Sequence, residues 1–196
     1  MVTAAPFEVL IAEADLRARI DALAREIAAE YRGSDEPPVF VGVLKGSVLF
    51  LADLVRALPV PAQVDFMSIS SYAGGGAHSG VVRIEKDLDC DVNGRDVVIV
   101  EDIVDTGLTL NYLRRNLTAR SPRSLRAVTL LDKSVRRIVP VELEHRGFDI
   151  PDVFVVGYGL DFQSLYRNVR DILSVPDLAR LANDPRLLVT PLWPAS

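Results

Sequence analysis

The chain has 196 residues, 49% hydrophobic and 25% charged, which fits one globular domain with a substantial buried core and excludes extensive disorder. Its formal net charge of -5 argues against nonspecific nucleic-acid binding. The single cysteine, Cys90, rules out an internal disulfide and joins no zinc-ligand spacing, and no apolar run could span a bilayer, so a reducing, cytoplasmic setting without a membrane partner is expected.

The opening residues carry no basic stretch, and Glu8 and Glu13 break their apolar run, so no secretory signal is expected. Leu16, Ile20, Leu23, Ile27 and Tyr31 recur at steps of three and four; the spacing predicts an amphipathic helix with Gly33 at its C-terminal end. "PPVFVGVL" is apolar on both faces, as in a parallel strand covered by helices. Gly46 and Ser47 open a second helix, Val48 to Leu58, closed by Pro59 and Pro61. "QVDFMSIS" reads as a strand, "SYAGGGAHSG" as a glycine-rich loop and "VVRIEKDLD" as the strand returning from it. "DVVIVEDI" is the next buried strand, followed by a helix, "LTLNYLRRNLTAR", with Leu110, Leu113 and Leu117 on one face. "SLRAVTLLDK" and "PDVFVVGYGL" are two further strands, and a short helix with an irregular end is expected from Pro176 onward. Alternating strands and helices imply an α/β fold with a largely parallel central sheet flanked by helices. Ligands bind such sheets beyond the carboxyl ends of the strands, which here carry "LKGS", "EDIVDTGLT", "LLDKS" and "GYGLD".

The chemistry concentrates in "VVIVEDIVDTGLTL". Asp105 to Thr109 lies between a strand and a helix, where successive backbone N–H groups and the Thr106 and Thr109 hydroxyls can cradle a phosphate at the positive end of the helix dipole. The nucleotide-binding G-x-x-x-x-G-K-[ST] spacing is absent. "DTGLT" alone reads equally well as a capped helix start eased by Gly107. Glu101 and Asp102 tip the balance, because adjacent strand residues point to opposite faces and two buried carboxylates are costly without a partner. Sugar hydroxyls or a magnesium ion would supply one. A ribose phosphate with a metal therefore fits the whole stretch.

The run "VEDIVDTG" after a hydrophobic strand resembles the phosphoribosyl-pyrophosphate signature of the type I phosphoribosyltransferases. "VGVLKGSVLFLADL", "DFMSISSYAGG", "VRIEKDLD", "LLDKSVRR" and "PDVFVVGYGLDFQSLYRN" resemble, in order and spacing, the hypoxanthine-guanine members of that family, from Phe7 to Val175. The resemblance implies a type I phosphoribosyltransferase fold with a small hood and a flexible lid loop. It implies one domain over residues 1–175, followed by an extension, 176–196, on which the family is silent. It also implies transfer of a phosphoribosyl group to hypoxanthine or guanine with Mg2+ as cofactor, in a homodimer or homotetramer without a nucleic-acid partner.

By position, the resemblance assigns Glu101 and Asp102 to the ribose hydroxyls and the magnesium shell. Asp105 becomes the general base and acid at N7 of the purine, and Asp105, Thr106, Gly107, Leu108 and Thr109 hold the 5′-phosphate. Lys45, Gly46 and Arg167 bind pyrophosphate; the family often has a cis peptide before that lysine, which the sequence does not show. Phe154 stacks on the purine, Val155 pairs with it through its backbone, and Lys133 donates to the 6-oxo group. Asp161 serves the base pocket and a second magnesium, while Ser71 and Tyr72 lie on the lid. Taken singly, Lys45 and Arg167 read as solvated charges, Phe154 as core and Asp161 as a turn residue. Their joint occurrence at successive strand ends favours the site. A xanthine-preferring enzyme and a non-catalytic regulator that senses phosphoribosyl pyrophosphate are the alternatives. His78 and His145 match no role and are expected at the surface; Cys90 is expected to be structural or incidental.

Overall fold

A computed structural model describes residues 5–71 and 82–194. Six strands form the main sheet: β2 (Val39–Leu44), β3 (Gln63–Ser71), β4 (Val82–Lys86), β5 (Asp96–Val104), β6 (Ser124–Asp132) and β7 (His145–Asp149). Their order is β4-β3-β2-β5-β6-β7, and every neighbouring pair is parallel except β3 with β4. The expected parallel sheet is thus present.

Helices cover both faces because the strands are apolar on both. Phe40, Val98, Val100, Val128 and Leu130 pack with Leu16, Ile20, Leu23 and Ile27 of α1 (Glu13–Tyr31) and Phe50, Leu51 and Leu54 of α2 (Val48–Ala57). The alternate residues Val39, Val41, Val43, Val97 and Ile99 pack with Leu110, Leu113 and Leu117 of α3 (Leu108–Thr118). From β2 the chain steps through α2 to β3 on one side, and from β5 it steps through α3 to β6 on the other. Right-handed crossovers running in opposite directions place α2 and α3 on opposite faces. The point where the direction reverses lies between β2 and β5.

Three elements were not legible in the sequence: β1 (Glu8–Ile11), β7 and β9 (Ile172–Val175). With β8 (Phe154–Val156), β1 and β9 form a separate antiparallel sheet in the order β1-β9-β8, in the place of the expected hood. "PDVFVVGYGL" is therefore a three-residue strand of this second sheet, followed by turns at Gly157 and Gly159, which both hold positive φ. His145 corrects a second expectation. Its side chain is only 10% exposed, with Nε2 2.8 Å from Glu30 Oε1, because β7 packs against α1. Tyr72, glycines 74 to 76 and His78 lie outside the described residues, and of Ser71 only its place at the end of β3 is described. Cys90 is half-buried, and burial, followed by the neighbouring Asp65, pushes its thiol up to about 11, so it is poorly reactive.

Candidate active site

The site opens where β2 and β5 part. Their pairing ends at Gly42 with Val100, although β2 stays paired with β3 as far as Leu44. Glu101 to Val104 therefore lose their β2 neighbour while keeping β6, and a cavity of about 660 Å³ fills the gap. Its walls are the carboxyl ends of β2, β5 and β6, the start of α3 and the second sheet. Such a crevice at a topological switch point is where open α/β sheets bind ligands.

The cavity gathers Lys45, Gly46, Glu101, Asp102, Asp105, Thr106, Gly107, Thr109, Lys133, Phe154, Val155, Asp161 and Arg167, all expected from the sequence. Leu108 does not line it; that residue is 42% exposed on the first turn of α3. Gly107 caps α3 with φ 84 and brings no side chain to the helix start; the Leu108 N–H donates to Thr106 Oγ1 at 3.4 Å, and the first-turn N–H groups after it stay available for an anion. A Cβ on Gly107 would come 2.8 Å from the Val139 carbonyl oxygen, because the loop after β6 closes over this turn.

Beyond the end of β6, Lys133 is only 6% exposed, and its backbone N–H donates to the Val104 carbonyl at 2.9 Å. The Leu44–Lys45 peptide bond is cis, and Ser47 Oγ donates to the Val43 carbonyl at 2.7 Å, tying down the turn that carries Lys45 and Gly46. Gly46 lies against the acids: a Cβ there would sit 1.6 Å from Asp102 Oδ2. A Cβ on Gly159 would in turn sit 2.1 Å from the Gly46 carbonyl oxygen. Arg167 pairs with Asp161 at 2.7 Å and donates to the Gly159 carbonyl at 2.5 Å.

One charged residue of the cavity lining was not anticipated from the sequence. Arg136, on a 3-10 turn after Lys133, places Nε 3.3 Å from Asp105 Oδ1 and Nη1 3.5 Å from Asp152 Oδ1. The signal was its place in "LLDKSVRR", a segment that also supplies Lys133 to the site.

The acids are held unfavourably. Burial, then the charge of Asp102, pushes the Glu101 carboxyl well above the usual range, and its Oε1 is buried without a hydrogen-bond partner among the described residues. Burial pushes Asp102 up to about 6, against the opposing backbone N–H of Ile103. Such carboxylates await a positive partner.

A family model described as a phosphoribosyl transferase domain matches residues 14–163. The hypoxanthine-guanine phosphoribosyltransferase of Mycobacterium tuberculosis (strain ATCC 25618 / H37Rv) is 52% identical over 165 residues, 82% of this chain and 82% of that protein. The chain belongs to the hypoxanthine-guanine phosphoribosyltransferase family. The hypoxanthine phosphoribosyltransferase of Escherichia coli (strain K12) is 51% identical over 162 residues, 83% of this chain and 91% of that one. A solved hypoxanthine phosphoribosyl transferase from Trypanosoma cruzi superposes with a TM-score of 0.84 at 42% identity, covering 91% of this chain and 95% of that one. In that protein the C-terminal region has a role in oligomeric state and enzymatic activity.

The donor set of this phosphoribosyltransferase fits a magnesium ion that brings ligands of its own. Among the described residues no group of three His, Cys, Asp or Glu side chains forms a metal cage. Magnesium commonly uses one or two carboxylates with substrate phosphates and water, and Glu101 and the half-buried Asp102 both have raised carboxyls, with Arg167 acting against the rise only at Asp102. Asp161, the third carboxylate expected near a metal, accepts from Arg167 and from the Ser164 N–H.

The raised Asp102 carboxyl makes a prediction about stability. Its folded value lies above the ordinary 3.8, so the fold favours the protonated form. That contribution is complete below the ordinary value and is lost as pH rises through about 6. Near neutral pH the free protein carries a half-buried charge at Asp102, and Asp102→Asn should relieve it. The variant should gain on the order of 1–3 kcal/mol, a few degrees in melting temperature near neutral pH, and little near pH 4. Melts of the ligand-free protein at both pH values check this, and a lower melting temperature for Asn near neutral pH would refute it.

Proposed function

We propose that the cavity transfers the 5-phosphoribosyl group of phosphoribosyl pyrophosphate to hypoxanthine or guanine, giving inosine or guanosine monophosphate and pyrophosphate in purine salvage. One observation carries this reading: a single cavity is lined by a helix start suited to phosphate, by Phe154 and Lys133, suited to a 6-oxopurine, and by the carboxylates of Glu101 and Asp102.

The start of α3 holds the 5′-phosphate, and Lys45, Gly46 and Arg167 hold the pyrophosphate. Phe154 stacks on the base, the Val155 backbone pairs with its edge, and Lys133 donates to the 6-oxo oxygen. The purine N9 forms its bond to C1 of the ribose as the bond from C1 to the pyrophosphate oxygen breaks, and the electron pair leaves with pyrophosphate. The proton at N7 passes to Asp105. Because positive charge builds on the sugar ring, Glu101 and Asp102 assist by holding the ribose hydroxyls in a cavity that excludes water. Magnesium, when bound, supplies positive charge to the departing pyrophosphate.

A cytoplasmic setting and a homodimer or homotetramer belong to the same reading. No helix of the described residues is long and apolar enough to cross a membrane, and the relatives carry the same activity in their names.

A lysine toward O6 is blind to the 2-substituent, so steady-state rates on hypoxanthine, guanine, xanthine and adenine decide the base range. Hypoxanthine and guanine should turn over, and chelating divalent cations should abolish the rate. Dominant turnover of xanthine would make the protein a xanthine-preferring enzyme, and no turnover of any base would leave a sensor of phosphoribosyl pyrophosphate.

A further inference from the structure

The family match stops at residue 163, yet the chain after Val175 is not loose. Two short helices, α4 (Leu178–Asn183) and α5 (Val189–Leu192), follow β9. The Asp177 side chain caps α4 by accepting the Arg180 N–H at 2.8 Å. Leu181 and Leu188 are 0% exposed, in one cluster with Val156, Tyr166, Val169, Leu173 and Val175.

The second sheet is thereby covered on both faces. Val155 of β8 and Ile172 of β9 belong to the main core, while Val156, Leu173 and Val175 belong to the cluster that contains the tail. Side chains alternate between faces along a strand, so Phe154 shares its face with Val156. Phe154 does pack against the tail cluster, edge-to-face with Phe162 at 5.7 Å between ring centroids. It also lines the cavity. The aromatic that faces the purine thus stands on the sheet face that the tail covers. Tyr166 is the fastening: its hydroxyl donates to the Pro185 carbonyl at 2.5 Å and accepts the Leu188 N–H at 3.4 Å.

We propose that residues 176–194 are a positioning segment for the purine: they back the Phe154 wall from behind and fix its distance from Lys133. The inference rests on the purine reading of that wall. The pyrophosphate side does not depend on the tail, because Gly159 and Asp161 hold Arg167 from within the site. The phosphate turn belongs to α3 and the main sheet. Loss of the tail should therefore weaken the purine and spare phosphoribosyl pyrophosphate.

Three variants test this: Tyr166→Phe, which removes only the fastening hydroxyl; Leu188→Ala; and a chain ending at Val175. Trp193 is the sole tryptophan and lies in the tail, so its emission reports tail docking in the two point variants. The KM for hypoxanthine should rise a few-fold in Tyr166→Phe and about tenfold or more in the others, the worth of a well-placed aromatic contact, while the KM for phosphoribosyl pyrophosphate stays within about twofold. An equal rise in both constants, or a fall in kcat alone matching the unfolded fraction, would overturn the proposal. Activity regained at high protein concentration would also overturn it, by placing the tail in subunit assembly. If the truncated chain fails to fold, the two point variants decide between the same outcomes. Wild-type turnover of hypoxanthine tests the purine reading separately, so a failure of that reading is distinguishable from a failure of this one.

Discussion

Replacing Lys133 by methionine is expected to collapse the preference for hypoxanthine over adenine. An ammonium carries donors only, so it satisfies a 6-oxo oxygen and meets the 6-amino group of adenine donor against donor. The side chain is almost wholly buried at the end of β6, and its backbone is fixed to Val104, so it cannot swing into water to escape the mismatch. A site built to hydrogen-bond one group rejects the analogue lacking it by about 10⁴–10⁵-fold, because its own polar group is left unpaired. The wild-type protein should show almost no activity on adenine. Lys133→Met keeps much of the bulk and removes the donor, so kcat/KM for hypoxanthine should drop sharply while that for adenine barely changes. Stacking on Phe154 is indifferent to the 6-substituent and persists with both bases. A variant that kept the full preference would transfer the reading of O6 to another group, such as a backbone amide.

Asp105→Asn should lower kcat by roughly 10²–10⁴-fold, the usual worth of a positioned acid–base group. Binding of phosphoribosyl pyrophosphate should change far less, because the first-turn N–H groups of α3 remain. The geometry suits the role. Oδ1 of Asp105 is shut away from solvent beside Arg136, while the carboxylate as a whole stays partly open to the cavity. Asparagine retains the shape and cannot take the proton. Single-turnover rates at saturating substrates check the prediction, and near-normal turnover would remove Asp105 from the chemistry.

The site was legible wherever polarity was out of place. Two carboxylates on a strand otherwise apolar on both faces, running into a glycine–threonine turn, have few explanations in a buried sheet. That pattern placed the site beyond the carboxyl ends of the strands; the parting of β2 and β5 came from the strand order, which the sequence did not show. Two strands of the second sheet, β1 and β9, were not legible, because each is four residues long and too short to show a period. β7 was hidden for another reason. "HRGFD" is an edge strand rich in charge, and pairing with β6 and packing on α1 make it a strand, not its own composition. His145 went wrong with it: a histidine in an unrecognised strand reads as surface. Arg136 was overlooked because arginine is common on surfaces and its two carboxylate partners come from distant segments.

The contact between Gly46 and its neighbours limits how this enzyme can be redesigned. The turn proposed to hold pyrophosphate lies between the Asp102 carboxylate and the Gly159 backbone, with no room for a methyl group at either glycine. Changes to base preference can be sought in Phe154 or the tail cluster behind it, where side chains pack on side chains. A side chain at Gly46 or Gly159 has no such freedom, because it strikes backbone or the acid itself. Libraries aimed at new bases should keep both glycines fixed, and variants there should lose every substrate together instead of exchanging one for another.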